Sequence, residues 1–222
     1  MLRPYVQSAF YLYPLIRLAP LIPNPPLPSP MAQTAVVYKI ALQIADIDRH
    51  YYHDHALTIA RHPSETEERM MVRVLAFTRH AREGLSFGKG VLGAPGESSQ
   101  DVEPDLWQKD LTGAVDLWID VGLPDEKQIR RACGRARQVV IYAYGGHKAD
   151  LWWRQFTVGA RRAVPPNVTV INISPDTTRA LAALAQRDLH LYCTVQDGQM
   201  VIGNGETTVP VELTVLKDAM PP

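Results

Sequence analysis

Residues 138–144 read QVVIYAY, a nearly continuous apolar run of strand length. A strand with apolar side chains on both sides has to be covered on both sides, which is the situation of a parallel strand in a sheet flanked by helices. The flanking sequence agrees with that demand. A helix carrying Trp152 and Trp153 follows, then a strand at 168–173 (VTVINI), then a helix over about 175–185 that opens on Pro175. The expected class is therefore α/β.

Upstream, 36–45 (VVYKIALQIA) and 51–60 (YYHDHALTIA) are strand-length runs separated by five residues, a spacing that suits a β-hairpin. Ser64 and Glu67 then stand at capping-box spacing, so a helix is expected to begin there. Met70, Met71, Val74, Leu75, Thr78 and Ala81 form its single apolar stripe, and Gly84 ends it. A short strand at 85–87, a loop at 90–103 and strands at 105–110 and 114–121 follow, the last two joined by Leu111-Thr112-Gly113. Pro124-Asp125-Glu126 should start a helix running to about Arg137. Near the C-terminus the hairpin turns Asp197-Gly198 and Asn204-Gly205 separate strands at 189–195, 199–202 and 207–216.

Composition sets outer bounds. With 222 residues the chain can bury one core of its own. Its 23 basic residues equal its 23 acidic ones, so it lacks the excess of a protein that holds nucleic acid by charge alone. Cys133 and Cys193 have no CxxC partner and read as buried free thiols of a cytoplasmic protein. Eight of the 18 prolines fall in residues 1–30, which is too dense for a helix or an interior strand. That segment is expected to be a disordered upstream extension, with 31–222 forming one domain. As a signal peptide it is interrupted by Pro14 and lacks a small-residue cleavage site, and it is too short and broken for a membrane helix, so no membrane association is expected.

His62-Pro63-Ser64-Glu65-Thr66 with Glu68-Arg69-Met70, and later Asp116-Leu117-Trp118-Ile119-Asp120-Val121-Gly122-Leu123-Pro124-Asp125-Glu126, resemble the YaeQ family over about Met31 to Leu216. The resemblance implies a variation on the PD-(D/E)XK, restriction-endonuclease-like scaffold. That is a mixed sheet flanked by helices, with a helix-strand-strand-strand-helix-strand core and antiparallel hairpins added at the N- and C-terminal sides.

Such a scaffold makes a chemical demand: carboxylates converging on Mg2+, usually with a lysine that orients or activates water. Asp105, after Pro104, stands in the place of the PD pair, and Asp120 in the place of the second acid. Asp116 shares a strand face with Asp120. Glu65 and Glu68 begin the preceding helix, and by helical angle Glu68 is the better aimed. The expected Mg2+ ligands are thus Glu68, Asp105, Asp116 and Asp120, with no organic cofactor. Gly122 stands where the lysine belongs, and glycine can neither hold a water nor stabilise developing charge. Lys127, Arg130 and Arg131 on the next helix are the candidate replacements, although arginine binds phosphate better than it accepts a proton.

Two readings follow. In one, Asp105, Asp116, Asp120, Lys127 and Arg131 serve a metal-dependent, nuclease-like phosphodiesterase. In the other, the chain is a non-catalytic descendant that binds nucleic acid or a protein partner, and the strand acids are satisfied by Arg131 or Arg135. His53-Asp54-His55 can place two imidazoles near a transition metal but reads more simply as a solvated strand. Gly145-Gly146-His147 lacks P-loop spacing and reads as a turn.

Overall fold

The computed structural model describes residues 35–88, 103–159 and 164–219. The extension expected at 1–30 and, apart from Glu103, the loop expected at 90–103 that includes Gly90 lie outside them or at their margin. In chain order the elements are β1 (Val36–Asp46), β2 (Tyr51–Arg61), α1 (Glu67–His80), β3 (Leu85–Phe87), β4 (Leu106–Lys109), β5 (Val115–Val121), α2 (Glu126–Cys133) and β6 (Ala136–Ala143). They continue with α3 (His147–Gly159), β7 (Val168–Ile173), α4 (Pro175–Ala183), β8 (Asp188–Gln196), β9 (Gln199–Gly203), β10 (Thr208–Val211) and β11 (Leu213–Lys217).

The strands make two mixed sheets, where one sheet with added hairpins is expected. One has the order β11-β7-β6-β5-β4-β3, with β5, β6 and β7 parallel. The other has the order β10-β9-β8-β1-β2 and arises because β1 pairs in parallel with β8, from Lys39 opposite Asp188 to Asp46 opposite Val195. The N-terminal and C-terminal hairpins thus merge. The expected strand at 207–216 is divided at Glu212, so that β10 joins one sheet and β11 the other. The Glu212 N–H donates to Thr177 Oγ1 at 3.0 Å and its carbonyl accepts from the Ser174 N–H at 3.2 Å, so the start of α4 holds the crossing point. Pro210 fits in β10 because that strand lies at a sheet edge.

α1 and α4 share one core with both sheets: Ile40, Leu42, Met71, Leu75, Leu117, Tyr142, Leu181 and Leu191 all belong to it. Every residue of α1 from Met70 to Thr78 is buried. The helix therefore has no solvent face over that stretch, rather than the single stripe its sequence suggests, because a sheet covers each side. Trp118, Val139, Ile141, Val168 and Val170 point to the opposite face of the six-stranded sheet and pack with Ile129 and Ala132 of α2 and Phe156 of α3. α2 stops at Cys133, short of the expected Arg137, because Ala136 is already paired with Val115. Both cysteines are free, Cys193 buried and Cys133 half-buried. No helix among the described residues is long and apolar enough to cross a membrane.

The start of α1 also differs from the expected capping box. Thr66, not Ser64, is the N-cap, its Oγ1 accepting from the Arg69 N–H at 3.1 Å. Ser64 Oγ instead lies 2.7 Å from His62 Nδ1, and Glu67 accepts from the Tyr38 hydroxyl at 3.0 Å. Thr66→Ala should cost about 1 kcal/mol in urea unfolding and Ser64→Ala less than about half of that. Equal losses would return the capping role to Ser64.

Candidate functional site

Glu65, Arg69 and Arg73 follow one another at steps of four residues, so the two arginines lie one above the other on α1 and both reach back to Glu65. Arg69 Nη1 is 2.9 Å from Glu65 Oε1, and Arg73 Nη1 is 3.2 Å from Glu65 Oε2. Asp105, one residue before β4, completes the cluster. Arg69 Nη2 donates to both of its oxygens at 2.8 Å, Arg73 Nε lies 3.4 Å from Oδ1, and the Val121 N–H donates to Oδ2 at 2.7 Å. The Glu65 carbonyl accepts from Arg61. Asp105 is wholly buried and Glu65 and Arg73 almost so. Two acids and two arginines balance in charge, and Asp105 meets donors only, as an ionised carboxylate requires. Burial works against the charge of Arg69, but Asp105 and Glu65 more than offset it and hold its pKa above the ordinary value.

Asp120 stands next to this cluster, where the Arg69 charge offsets only part of the cost of its burial. Register places it beside Asp105, one step beyond the Leu106–Ile119 pair. It is buried, and its Oδ1 has no hydrogen-bond partner. Burial pushes its carboxyl up to about 7; the Trp118 indole, itself without a well-formed hydrogen bond, works against the rise and the Asp105 charge adds to it. Gly122 follows with φ +113°, and its N–H donates to the Tyr142 carbonyl at 2.9 Å. Lysine at this position would force a side-chain-bearing residue into backbone geometry that favours glycine.

The model of the family described as YaeQ protein matches residues 31–213. The chain belongs to the YaeQ family. It is 38% identical over 184 residues to the uncharacterized protein YaeQ of Salmonella typhi, covering 83% of this chain and 97% of that protein. The YaeQ of Escherichia coli K12 is 37% identical over 185 residues, with the same coverage of both chains. Among solved structures, YaeQ from Xanthomonas axonopodis pv. citri superposes with a TM-score of 0.73 at 43% identity, covering 83% of this chain and 99% of that one. YaeQ from Pseudomonas syringae gives 0.72 at 32% identity, covering 83% and 97%. The two mixed sheets and four helices are thus the YaeQ architecture.

In this YaeQ chain the residues expected to form a metal site are dispersed. Asp105 and Asp120 are neighbours. Asp116 and Asp120 do alternate to one face of β5, but four residues of strand hold them about 13 Å apart. Asp116 lies 3.1 Å from Arg137, where Arg131 or Arg135 is the expected partner. Glu68 is half-exposed, and Glu65 takes the buried place expected for it. Lys127 and Arg131 flank the buried Ile129 at two residues on either side, about 160° around the helix from it. Lys127 is exposed and Arg131 half-buried, so both turn away from the sheet although their helix lies on the face of β5 that carries Trp118 and, by alternation, Asp120.

The donor set does not fit a magnesium ion. Arg69 takes both oxygens of Asp105, and among the described residues no three His, Cys, Asp or Glu side chains come together to hold a metal. Arg69 and Arg73 are the site residues that the sequence reading misses. Their signal is the Glu65, Arg69, Arg73 ladder at four-residue steps, with Arg73 set inside the apolar run from Met70 to Phe77.

Proposed function

We propose that this chain is a non-catalytic descendant of the nuclease scaffold, a binding protein rather than a metal-dependent phosphodiesterase. The observation that carries this reading is the Arg69 guanidinium, which bridges Asp105 and Glu65 where a metal-dependent enzyme would need those oxygens for an ion. Kinship to the scaffold is supported by the order α1, β3, β4, β5, α2, β6, which repeats the helix-strand-strand-strand-helix-strand arrangement. Loss of catalysis is supported by Gly122 in the place of the lysine. Equal numbers of acidic and basic residues point the binding away from long nucleic acid held through its phosphates.

One observation favours the phosphodiesterase instead: Asp120 is a buried acid whose Oδ1 has no hydrogen-bond partner. Calorimetric titration with MgCl2 and MnCl2 separates the two readings. The binding reading expects no saturable heat at millimolar ion, and no cleavage of single- or double-stranded DNA or RNA under the same conditions. Saturable binding that disappears in Asp120→Asn, accompanied by cleavage, would establish the enzyme.

A further inference from the structure

We infer that this chain binds a small organic anion with an apolar body in a cavity at the C-terminal end of α1, well away from the ionic cluster at the N-terminal end. The inference extends the binding reading to a specific site and ligand class. The two ends of a 14-residue helix are about 20 Å apart, so the sites are separate.

The cavity exists because α1 stops at His80 while the sheet beneath it continues. Leu117 of β5, Val140 of β6 and Ile171 of β7, themselves almost wholly buried, and Val215 of β11 line its floor across four adjacent strands. Val215, on the edge strand, is 52% exposed, so the floor is open to solvent on that side. The volume is about 380 Å³, within the range of small-molecule sites.

The rim supplies charge. Arg79 and Arg82 both line the cavity, and neither makes an ion pair with another of the described residues. Asp116, the acid that acts on Arg82, is itself 3.1 Å from Arg137. Nearby Arg49 is tied to Asp46 at 2.6 Å. His80 closes the wall, its Nε2 lying 2.9 Å from the Tyr142 hydroxyl. Burial, reinforced by Arg79, Arg82 and Arg49, holds its pKa down to about 3, so it neither titrates nor attracts an anion near neutrality. One carboxylate lines the cavity: Asp218, which follows β11, accepts from Thr169 Oγ1 at 3.2 Å and from the Ala219 N–H at 2.9 Å.

Arg82 thus stands on the β5 side and Asp218 on the β11 side. This polarity seats a ligand one way round, with its anionic head between the two guanidinium forks and its apolar body against Val215 at the open edge of the floor. Cations in the last turn of a helix also favour the helix dipole, which accounts for Arg79. It does not account for Arg82, which lies beyond the helix, or for the exposed Val215 beside it in the same cavity.

The test uses the full chain and two fluorescent probes: anilinonaphthalene sulfonate, and phenylnaphthylamine, a similar body without the charge. The sulfonate should bind at one saturable site. Arg79→Gln/Arg82→Gln should weaken it about tenfold or more, with less than about a twofold change for the neutral probe. Val215→Glu, at an exposed position where the fold should tolerate it, should weaken the sulfonate at least as much and keeps the test usable if the double variant unfolds. Non-saturable binding, an unchanged affinity in these variants, or equal affinity for the neutral probe would overturn the inference. Such a failure leaves the non-catalytic reading of the ionic cluster intact, because metal calorimetry reports on the other end of α1.

Discussion

Arg69→Met should lower the free energy of unfolding by about 3–5 kcal/mol, the cost of leaving a buried charge without its partner. Asp105 would keep the Val121 N–H and the longer contact to Arg73, but lose both 2.8 Å bonds to Arg69. The sign with pH follows from the same geometry. Burial holds the folded-state pKa of Asp105 above its ordinary value although Arg69 and Arg73 work against the rise; without Arg69 it rises further, so the deficit is largest where Asp105 must be ionised and shrinks as the pH falls and the carboxyl takes up a proton. Arg69→Met/Asp105→Asn should recover most of the loss, since removing both partners leaves no uncompensated charge. Urea unfolding at neutral and mildly acidic pH measures all of this. A deficit below about 1 kcal/mol for the single variant would mean that the cluster is dispensable to the fold.

Asp120→Asn should act in the opposite direction and make the protein more stable near and above neutrality. In the folded chain the Asp120 carboxyl is raised from its ordinary 3.8 to about 7. A raised carboxyl favours the folded state while protonated, so its contribution is complete below the unfolded value and is lost as the pH rises through about 7. The full loss is on the order of 4 kcal/mol, and asparagine, which does not ionise, avoids it. The advantage of the variant should therefore open between about pH 4 and pH 7 and level off above that window. A constant difference across the range would show that Asp120 ionises normally and that the burial argument is wrong. Combined with unchanged metal titrations, the predicted gain would mark Asp120 as a retained acid that costs stability and serves no ion.

The two variants bear on why the site is only partly legible. Asp105 is noticeable in sequence because it follows Pro104 at a strand entrance and Asp120 because an acid interrupts an apolar strand, and both are buried neighbours in the fold. Their surroundings are not legible in that way. Arg69 meets Asp105 across 36 residues of chain, and no local pattern announces such a partner. Asp116 shows the converse: strand alternation assigns it to the face of Asp120 but says nothing about the length of strand between them. Lys127 and Arg131 are displaced for a similar reason. Spacing places them together on a helix, whereas the burial of Ile129 decides which way that side turns.

For the fold as well, local chemistry speaks for elements and remains silent about their assembly. Periodicity, turn pairs and proline placement determined that β1 and β2 form a hairpin, that 168–173 is a strand and that Asp197-Gly198 turns the chain back, where both residues adopt positive φ. These features depend on neighbours within a few residues, whose steric and hydrogen-bonding preferences are written in the local sequence. Tertiary structure alone decided that β1 would pair with β8, that the strand at 207–216 would divide at Glu212 between two sheets, and that Arg69 would fill the space between Glu65 and Asp105. Each of those outcomes depends on which distant surfaces bury one another, and such pairings are selected by the energy of the whole core and not by any one segment of it.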